Sequence, residues 1–150
     1  MKRFICFCLL LCLTGCATVI LPNYVPDKNP YKRRFYADYG ATVAATKKAF
    51  ESAGWSVLEE ADPAVYERAW QINDPNTRHV LIMTKYKRSN YGVSSSNVVL
   101  NAYIRSGVNN ATEVELRYLK VSTISYKTFY KYRNDKLINR LYKAIETNLQ

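Results

Sequence analysis

The segment 98-VVLNAYIRSGVNNATEVELRYLKVS-122 decides the fold, because it contains two strand patterns joined by a turn. In its first half apolar residues recur with a period of two, at Val98, Leu100, Ala102 and Ile104. Gly107–Asn110 supplies turn residues, and Thr112–Ser122 returns with the same alternation. A period of two on both sides of a turn is typical of an antiparallel hairpin. The sequence therefore predicts that this hairpin is the centre of a sheet.

Further strand patterns precede the hairpin. They cover Trp55–Glu60, Val65–Ile72 and His79–Tyr86, in which side chains alternate between two faces, and the last of them is rich in β-branched and aromatic residues. Ser89–Ser96 contains Gly92 and three successive serines, so we expect a polar loop there. Together with the hairpin, these patterns predict an antiparallel sheet of four or five strands.

Helices are predicted at both ends of this strand series. Asp38 can cap a helix that begins at Tyr39 or Gly40 and ends before Gly54. From Asn134 to Leu149 apolar residues recur at helical spacing, with charged residues opposite them. The order predicts one α+β domain at residues 38–150, with both helices packed on one face of the sheet.

The amino terminus has the pattern of an export signal. Lys2 and Arg3 precede an apolar run from Phe4 to Leu13, which leads into Leu13-Thr14-Gly15-Cys16. As a helix that run would cover about 15 Å, roughly half of a bilayer's hydrocarbon core. We therefore predict a signal peptide at residues 1–15 that is removed, rather than a permanent transmembrane helix.

Leu13-Thr14-Gly15-Cys16 resembles the lipobox of bacterial lipoproteins. The resemblance implies diacylglycerol on the sulfur of Cys16, cleavage before this residue, and a further acyl chain, commonly palmitate, on the new amino group. Ala17 resembles the sorting pattern that sends lipoproteins to the outer membrane. Residues 16–37 contain three prolines and little periodicity, so we predict a lipidated cysteine followed by an extended tether.

The order of the domain's elements is similar to that of small helix-grip-like domains in uncharacterised bacterial lipoproteins. These include the domains of BamC, an accessory subunit of the β-barrel assembly machinery. The resemblance lies in element order over residues 38–149 and carries no specific motif. It therefore transfers no binding residue to this chain.

Charge and residue usage limit the kinds of site that the chain can hold. The 150 residues include 22 basic and 12 acidic side chains, and removal of the signal would leave 20 basic residues. The excess favours anionic partners. His79 is the single histidine and no cysteine follows Cys16, which excludes a histidine-rich or thiolate metal site. His79 at a strand start is interpreted as a surface residue, and no catalytic residue or cofactor is predicted.

One group of residues is a candidate binding surface. It combines the end of one strand with the stretch before the last helix, and its members are Lys85, Tyr86, Lys87, Arg88, Tyr126, Lys127, Tyr130, Lys131, Tyr132 and Arg133. Aromatic faces beside cations can stack on sugars or lie at lipid head groups. The same pattern arises when tyrosines pack against a core, and this is the interpretation that we favour. The sequence leaves open whether residues 122–133 are loop or helix.

These observations predict a lipid-anchored envelope lipoprotein that acts as a non-catalytic protein-interaction or assembly module. Its partners would be the membrane, through the acyl chains on Cys16, and another envelope protein. The alternative is a peptidoglycan- or polyanion-binding lipoprotein that uses the basic, tyrosine-rich surface, with anionic glycopolymers or lipid head groups as ligands. An exported protein is not expected to bind nucleic acid.

Overall fold

The structure, a computed structural model, describes residues 21–67, 77–91, 94–124 and 127–150. The strands are β1 (Tyr31–Phe35), β2 (Val57–Ala61), β3 (His79–Thr84), β4 (Lys87–Tyr91), β5 (Ser94–Ser106), β6 (Thr112–Ile124) and β7 (Lys127–Lys131). The helices are α1 (Tyr39–Ser52) and α2 (Asp135–Leu149), and a short 3-10 turn spans Pro63–Val65.

The predicted hairpin is confirmed as the centre of the sheet. β5 and β6 pair in antiparallel register from Ser94 opposite Ile124 to Ser106 opposite Thr112. Asn109 and Asn110 adopt φ values of 59° and 53° in the connecting turn. Asparagine tolerates this left-handed conformation better than most residues, which explains the Asn-Asn pair at the turn.

The other strands extend the hairpin on both sides. The main path is β1-β6-β5-β3-β2, while β4 pairs with β5 and β7 pairs with β6 further along the same two strands. All pairs are antiparallel. The α+β class is therefore confirmed, but the prediction of four or five strands is too low, since the sheet has seven.

The tether prediction is wrong for Tyr31–Phe35, which form β1. This strand pairs with the first part of β6, from Tyr31 opposite Leu116 to Phe35 opposite Thr112. It has no apolar alternation because only Phe35 is buried and three cations occupy the middle of the strand. Such a strand lies at a sheet edge, where backbone pairing does not require apolar side chains on a buried face.

The loop prediction at Ser89–Ser96 is also wrong. Ser89, Asn90 and Tyr91 pair with Ser96, Ser95 and Ser94, so the described part of this stretch belongs to β4 and β5. Residues 92 and 93 lie outside the described residues. Ladder hydrogen bonds, rather than burial of apolar side chains, hold this polar hairpin.

The strand predicted at Val65–Ile72 is not found in its described part. Pro63–Val65 forms the 3-10 turn, and the Asp62 carboxylate accepts a hydrogen bond of 2.9 Å from the Ala64 N–H. This Asp-Pro start fixes a turn in place of an extended chain. The rest of the predicted strand, residues 68–72, lies outside the described residues.

Both helices begin and end close to the predicted residues. The Asp38 carboxylate accepts hydrogen bonds from the Gly40 and Ala41 N–H groups, and Gly54 follows α1 with a φ of 74°. The Asn134 side chain accepts from the Leu137 N–H at the start of α2. The helices pack on one face of the sheet, where one apolar cluster joins Phe50 of α1 and Leu141 of α2 to Leu100 and Leu116.

The opposite face of the sheet is covered by the chain that precedes β1. Val25 is fully buried against Val99, Leu119 and Val121, and Leu21 packs on the same cluster. The Val25 N–H donates to the Asn101 side-chain oxygen at 2.7 Å, while the Asn101 amide donates to the Asn23 carbonyl at 3.0 Å. The segment predicted to be tether is therefore part of the fold from Leu21 onward.

Replacing Asn101 with alanine is expected to release this segment. Asn101 is fully buried, and its loss leaves the Val25 N–H and the Asn23 carbonyl without their side-chain partner. An unsatisfied buried group costs about 1–3 kcal/mol, so urea unfolding should show a loss of that size. Asn97→Ala, on the same strand and face, should change stability less. If amide exchange at Val25 is no faster in Asn101→Ala, the segment is held by other contacts.

Neither of the two helices in the described part of the chain is long and apolar enough to cross a membrane.

Candidate interaction surface

The far end of the sheet extends beyond the strands that pack under the helices. We call this part the sheet extension, and it consists of β4, residues 94–98 of β5, residues 120–124 of β6, and β7. It contains no aspartate or glutamate. Its charged side chains are five cations, namely Lys87, Arg88, Lys120, Lys127 and Lys131. All charged side chains of the extension are therefore positive, while the 12 acidic residues of the chain lie elsewhere.

The register explains how the two candidate segments meet. Lys87 lies opposite Val98, Val98 lies opposite Lys120, and Lys120 lies opposite Lys131. Side chains opposite each other in a ladder project to the same face, so three lysines form one row across four strands. Neighbouring strands are about 4.8 Å apart, which places the ends of the row about 14 Å from each other. The structure thus puts the two segments at opposite edges of one extension.

Two of the predicted cations are engaged by the domain itself. The Lys87 ammonium donates to the Ala53 carbonyl at 2.9 Å and lies 4.3 Å from the centre of the Trp55 ring. Burial, with the charge of Arg140 added, lowers the pKa of Lys87. Arg133 donates to the Asn29 carbonyl and stacks 4.6 Å from the centre of the Tyr31 ring. Both side chains therefore stabilise the fold, and their charges are less available to a ligand than those of the other cations.

The aromatic residues of β7 point into solvent. Phe129 is 53% exposed and Tyr130 is 61% exposed, and all five residues of the strand are exposed. The preferred interpretation of this stretch as packed core-edge material is therefore wrong for these two residues. Tyr132 is less exposed, and Tyr126 lies outside the described residues. Residues 127–131, left open as loop or helix, form an edge strand.

Two further predicted residues connect β3 to β4. Lys85 and Tyr86 are both exposed, and the Lys85 N–H donates to the Ser56 carbonyl at 2.9 Å. Arg88 is exposed on β4, where its guanidinium donates to the Asn90 side chain at 3.2 Å. These residues extend the positive surface along the β4 edge.

Lys120 is the member of the surface that strand patterns did not single out. It lies within β6 between Leu119 and Val121, which face the other side of the sheet and are buried. The signal that could have identified it is the absence of acidic residues between Glu115 and Asp135. A long stretch without aspartate or glutamate, in a chain that has acidic residues elsewhere, indicates a positively charged region of the surface.

A buried ionic cluster lies on the face opposite the helices. Arg117 is 4% exposed, and its guanidinium lies 2.6 Å from the equally buried Glu115 and 3.2 Å from Glu67. The guanidinium also donates to the Tyr24 hydroxyl at 2.5 Å, and Lys32 pairs with Glu115 at 3.2 Å. Burial opposes the charge of Arg117, but Glu115 and the other partners outweigh it and raise its pKa. The cluster joins β1, β6 and the chain before β1, so we interpret it as structural.

The single histidine is half-buried and is not the simple surface residue that was predicted. Its Nε2 lies 3.3 Å from the Asp62 carboxylate, while its Nδ1 is buried without a described partner. Glu59 and Glu60 on the adjacent β2 are exposed, and Glu60 pairs with Lys47. Across the described ranges, no group of three or more His, Cys, Asp or Glu side chains is placed to hold a metal ion.

Glu113 forms a more exposed ion pair than Glu115 does. Its carboxylate lies 3.1 Å from the guanidinium of Arg105 on the neighbouring strand. Since the ionic cluster, the histidine and this ion pair are all held by partners within the domain, the sheet extension is the strongest candidate for a functional surface.

The chain was compared with known proteins. No family model and no curated protein matches it.

Proposed function

We propose that this protein is a lipid-anchored lipoprotein of the cell envelope and that its domain is a non-catalytic protein-interaction or assembly module. The anchor is supported by the sequence Leu13-Thr14-Gly15-Cys16, which follows two basic residues at the amino terminus and a short apolar run. Several acyl chains on one residue anchor a protein stably where a single chain does not. Ala17 supports placement on the periplasmic side of the outer membrane.

The observation that carries the proposed interaction is the open edge of β7. Within the described part of the chain this strand pairs with β6 alone. A free strand edge offers unpaired N–H and C=O groups, to which an extended segment of another protein can add. Phe129 and Tyr130 project from opposite faces of β7 and supply side-chain selectivity beside this edge. Lys127 and Lys131 disfavour self-association and favour a partner with acidic residues.

In-cell crosslinking tests this edge. A photo-reactive amino acid at position 130 is expected to capture one discrete envelope protein, because Tyr130 is exposed beside the edge. The same group at position 36 serves as the control, since Tyr36 is 84% exposed but follows β1 at the other end of the sheet. Introducing Lys127→Glu and Lys131→Glu should abolish the capture, since an acidic partner would be repelled.

Equal capture at positions 130 and 36, or capture that survives both charge reversals, would contradict strand addition at β7. The anchor has a separate test, which is mass spectrometry of the amino terminus in protein extracted from membranes. We expect acylated Cys16 in the native protein and loss of membrane attachment in Cys16→Ser. An unmodified terminus would contradict the lipoprotein proposal whatever the crosslinking shows.

A second candidate function is binding to peptidoglycan or another anionic glycopolymer. The acid-free extension favours it, because the four cations other than Lys87, together with exposed aromatic rings, suit a negatively charged sugar chain. This candidate predicts salt-sensitive sedimentation with isolated cell walls and no discrete crosslinked protein.

A further inference from the structure

The chain that precedes β1 meets the sheet at the base of the extension. Leu21 packs beside Val25 against Val99, Leu119 and Val121, at the point where β5 and β6 leave the helix-covered part of the sheet. Asn101 and Arg117 hold the segment there through hydrogen bonds to Asn23, Tyr24 and Val25. The chain segment that connects the domain to Cys16 therefore leaves the domain beside the extension, on the sheet face opposite the helices.

This attachment limits the distance between the domain and a bilayer. Four residues separate Cys16 from Leu21, and a chain of five peptide steps spans at most about 18 Å. From Leu119 to Ile124 the extension advances five residues, which is about 17 Å for a strand. A domain anchored through Cys16 is thus held so close that the end of the extension can reach the lipid head groups.

The chemistry at that end suits a negatively charged lipid surface. Ile124 and Phe129 are about half exposed, and they share the helix side of the extension with Lys120, Lys127 and Lys131. Tyr130 is exposed on the other side. Apolar and aromatic side chains beside lysines are typical of protein surfaces at the head-group boundary, where the rings enter the interface and the cations meet phosphates.

We propose that the end of the sheet extension lies on the anionic head groups of the bilayer in which Cys16 is anchored. This inference rests on the proposed lipid anchor, and it gives the anchored domain a fixed orientation. The extension points toward the membrane, while the lateral edge of β7 stays accessible to a partner protein. The lipid on Cys16 and the lysines of the extension are then two contacts with the same surface.

Vesicle binding without the lipid isolates the second contact. The probe is the chain from residue 16 onward with Cys16→Ser, mixed with vesicles of phosphatidylglycerol and phosphatidylcholine or with vesicles of phosphatidylcholine alone. We expect sedimentation with the anionic vesicles that disappears at high salt. Each cation near an anionic surface contributes about fivefold to partitioning, so Lys120→Gln, Lys127→Gln and Lys131→Gln together should weaken binding about 100-fold.

The matched control removes the same charge from the helices. Lys48, Lys136 and Lys143 are exposed on α1 and α2, and their combined replacement by glutamine should leave vesicle binding nearly unchanged. Equal loss of binding in both triple variants would overturn the proposal, because net charge alone would then explain it. Binding to neutral vesicles as strong as to anionic ones would also overturn it.

A spectroscopic variant covers the case in which the triple replacement disturbs the fold. Phe129→Trp should shift its fluorescence to shorter wavelength on anionic vesicles, whereas Tyr36→Trp at the opposite end should not. No shift at position 129, or retention on isolated peptidoglycan without vesicle binding, would overturn the lipid assignment. Because the probe carries no acyl chain, these outcomes are independent of whether Cys16 is lipidated in cells.

Discussion

Replacing Arg117 with methionine is expected to lower the free energy of unfolding by about 3 kcal/mol. The change leaves Glu115, which is 4% exposed, without the guanidinium 2.6 Å away, and it also removes a partner of Tyr24 and Glu67. Removing one member of a buried ion pair costs about 3–5 kcal/mol, because the remaining charge stays desolvated. We expect the lower end of this range, since Lys32 still pairs with Glu115. Urea unfolding measures the loss.

Two further variants separate the ionic effect from lost packing. Adding Glu115→Gln to Arg117→Met should restore more than half of the lost stability, because the most deeply buried carboxylate of the cluster is then replaced by a neutral side chain. Arg105→Met breaks the more exposed pair that joins Arg105 of β5 to Glu113 of β6, and it should cost less than about 1 kcal/mol. If Arg117→Met and Arg105→Met cost the same, the burial of the Arg117 cluster does not determine its contribution.

Replacing Phe50 with alanine is expected to cost about 3–5 kcal/mol of stability. Phe50 is fully buried on α1, where it belongs to the apolar cluster that joins both helices to the sheet. Loss of the ring removes buried apolar surface and leaves a cavity that the surrounding strands can fill only in part. Thermal or urea unfolding of the purified domain measures this loss in the free energy of unfolding.

The control for this change is Glu51→Ala, the next residue on the same helix. Glu51 is exposed, so its replacement should alter stability by less than about 0.5 kcal/mol. A loss below about 1 kcal/mol for Phe50→Ala would indicate that the helix layer repacks without the ring. It would also contradict the assignment of a single core between the helices and the sheet.

The parts of the fold that bury one apolar face could be predicted from the sequence. The β5–β6 hairpin, β3 and both helices have periodic apolar residues, and the caps at Asp38 and Asn134 mark the helix starts. β1, β4 and β7 could not be predicted in this way, because backbone pairing at an edge places no demand on side-chain polarity. Their residues are basic, polar or exposed, which are also the properties of loops.

For the candidate surface, the sequence indicated most of the residues but not their arrangement. Composition identified cations and aromatics near residues 85–88 and 126–133. It could not show that Lys120 lies between Lys87 and Lys131, since this depends on the register of three strand pairs. It also could not show that Lys87 is held by Ala53 and Trp55, because those residues are more than 30 positions away.

The pairing of β1 with β6 has a consequence for the order of folding. Tyr31 and Leu116 are 85 residues apart, whereas the turn between β5 and β6 joins strands that are adjacent in sequence. Closing a long loop costs more entropy than closing a tight turn, so the hairpin should form first and β1 should dock last. A chain that ends before Thr112 keeps the β1 residues but lacks the strand with which they pair. The amino-terminal part of the domain is therefore not an autonomous folding unit, and its structure depends on residues near the other end of the chain.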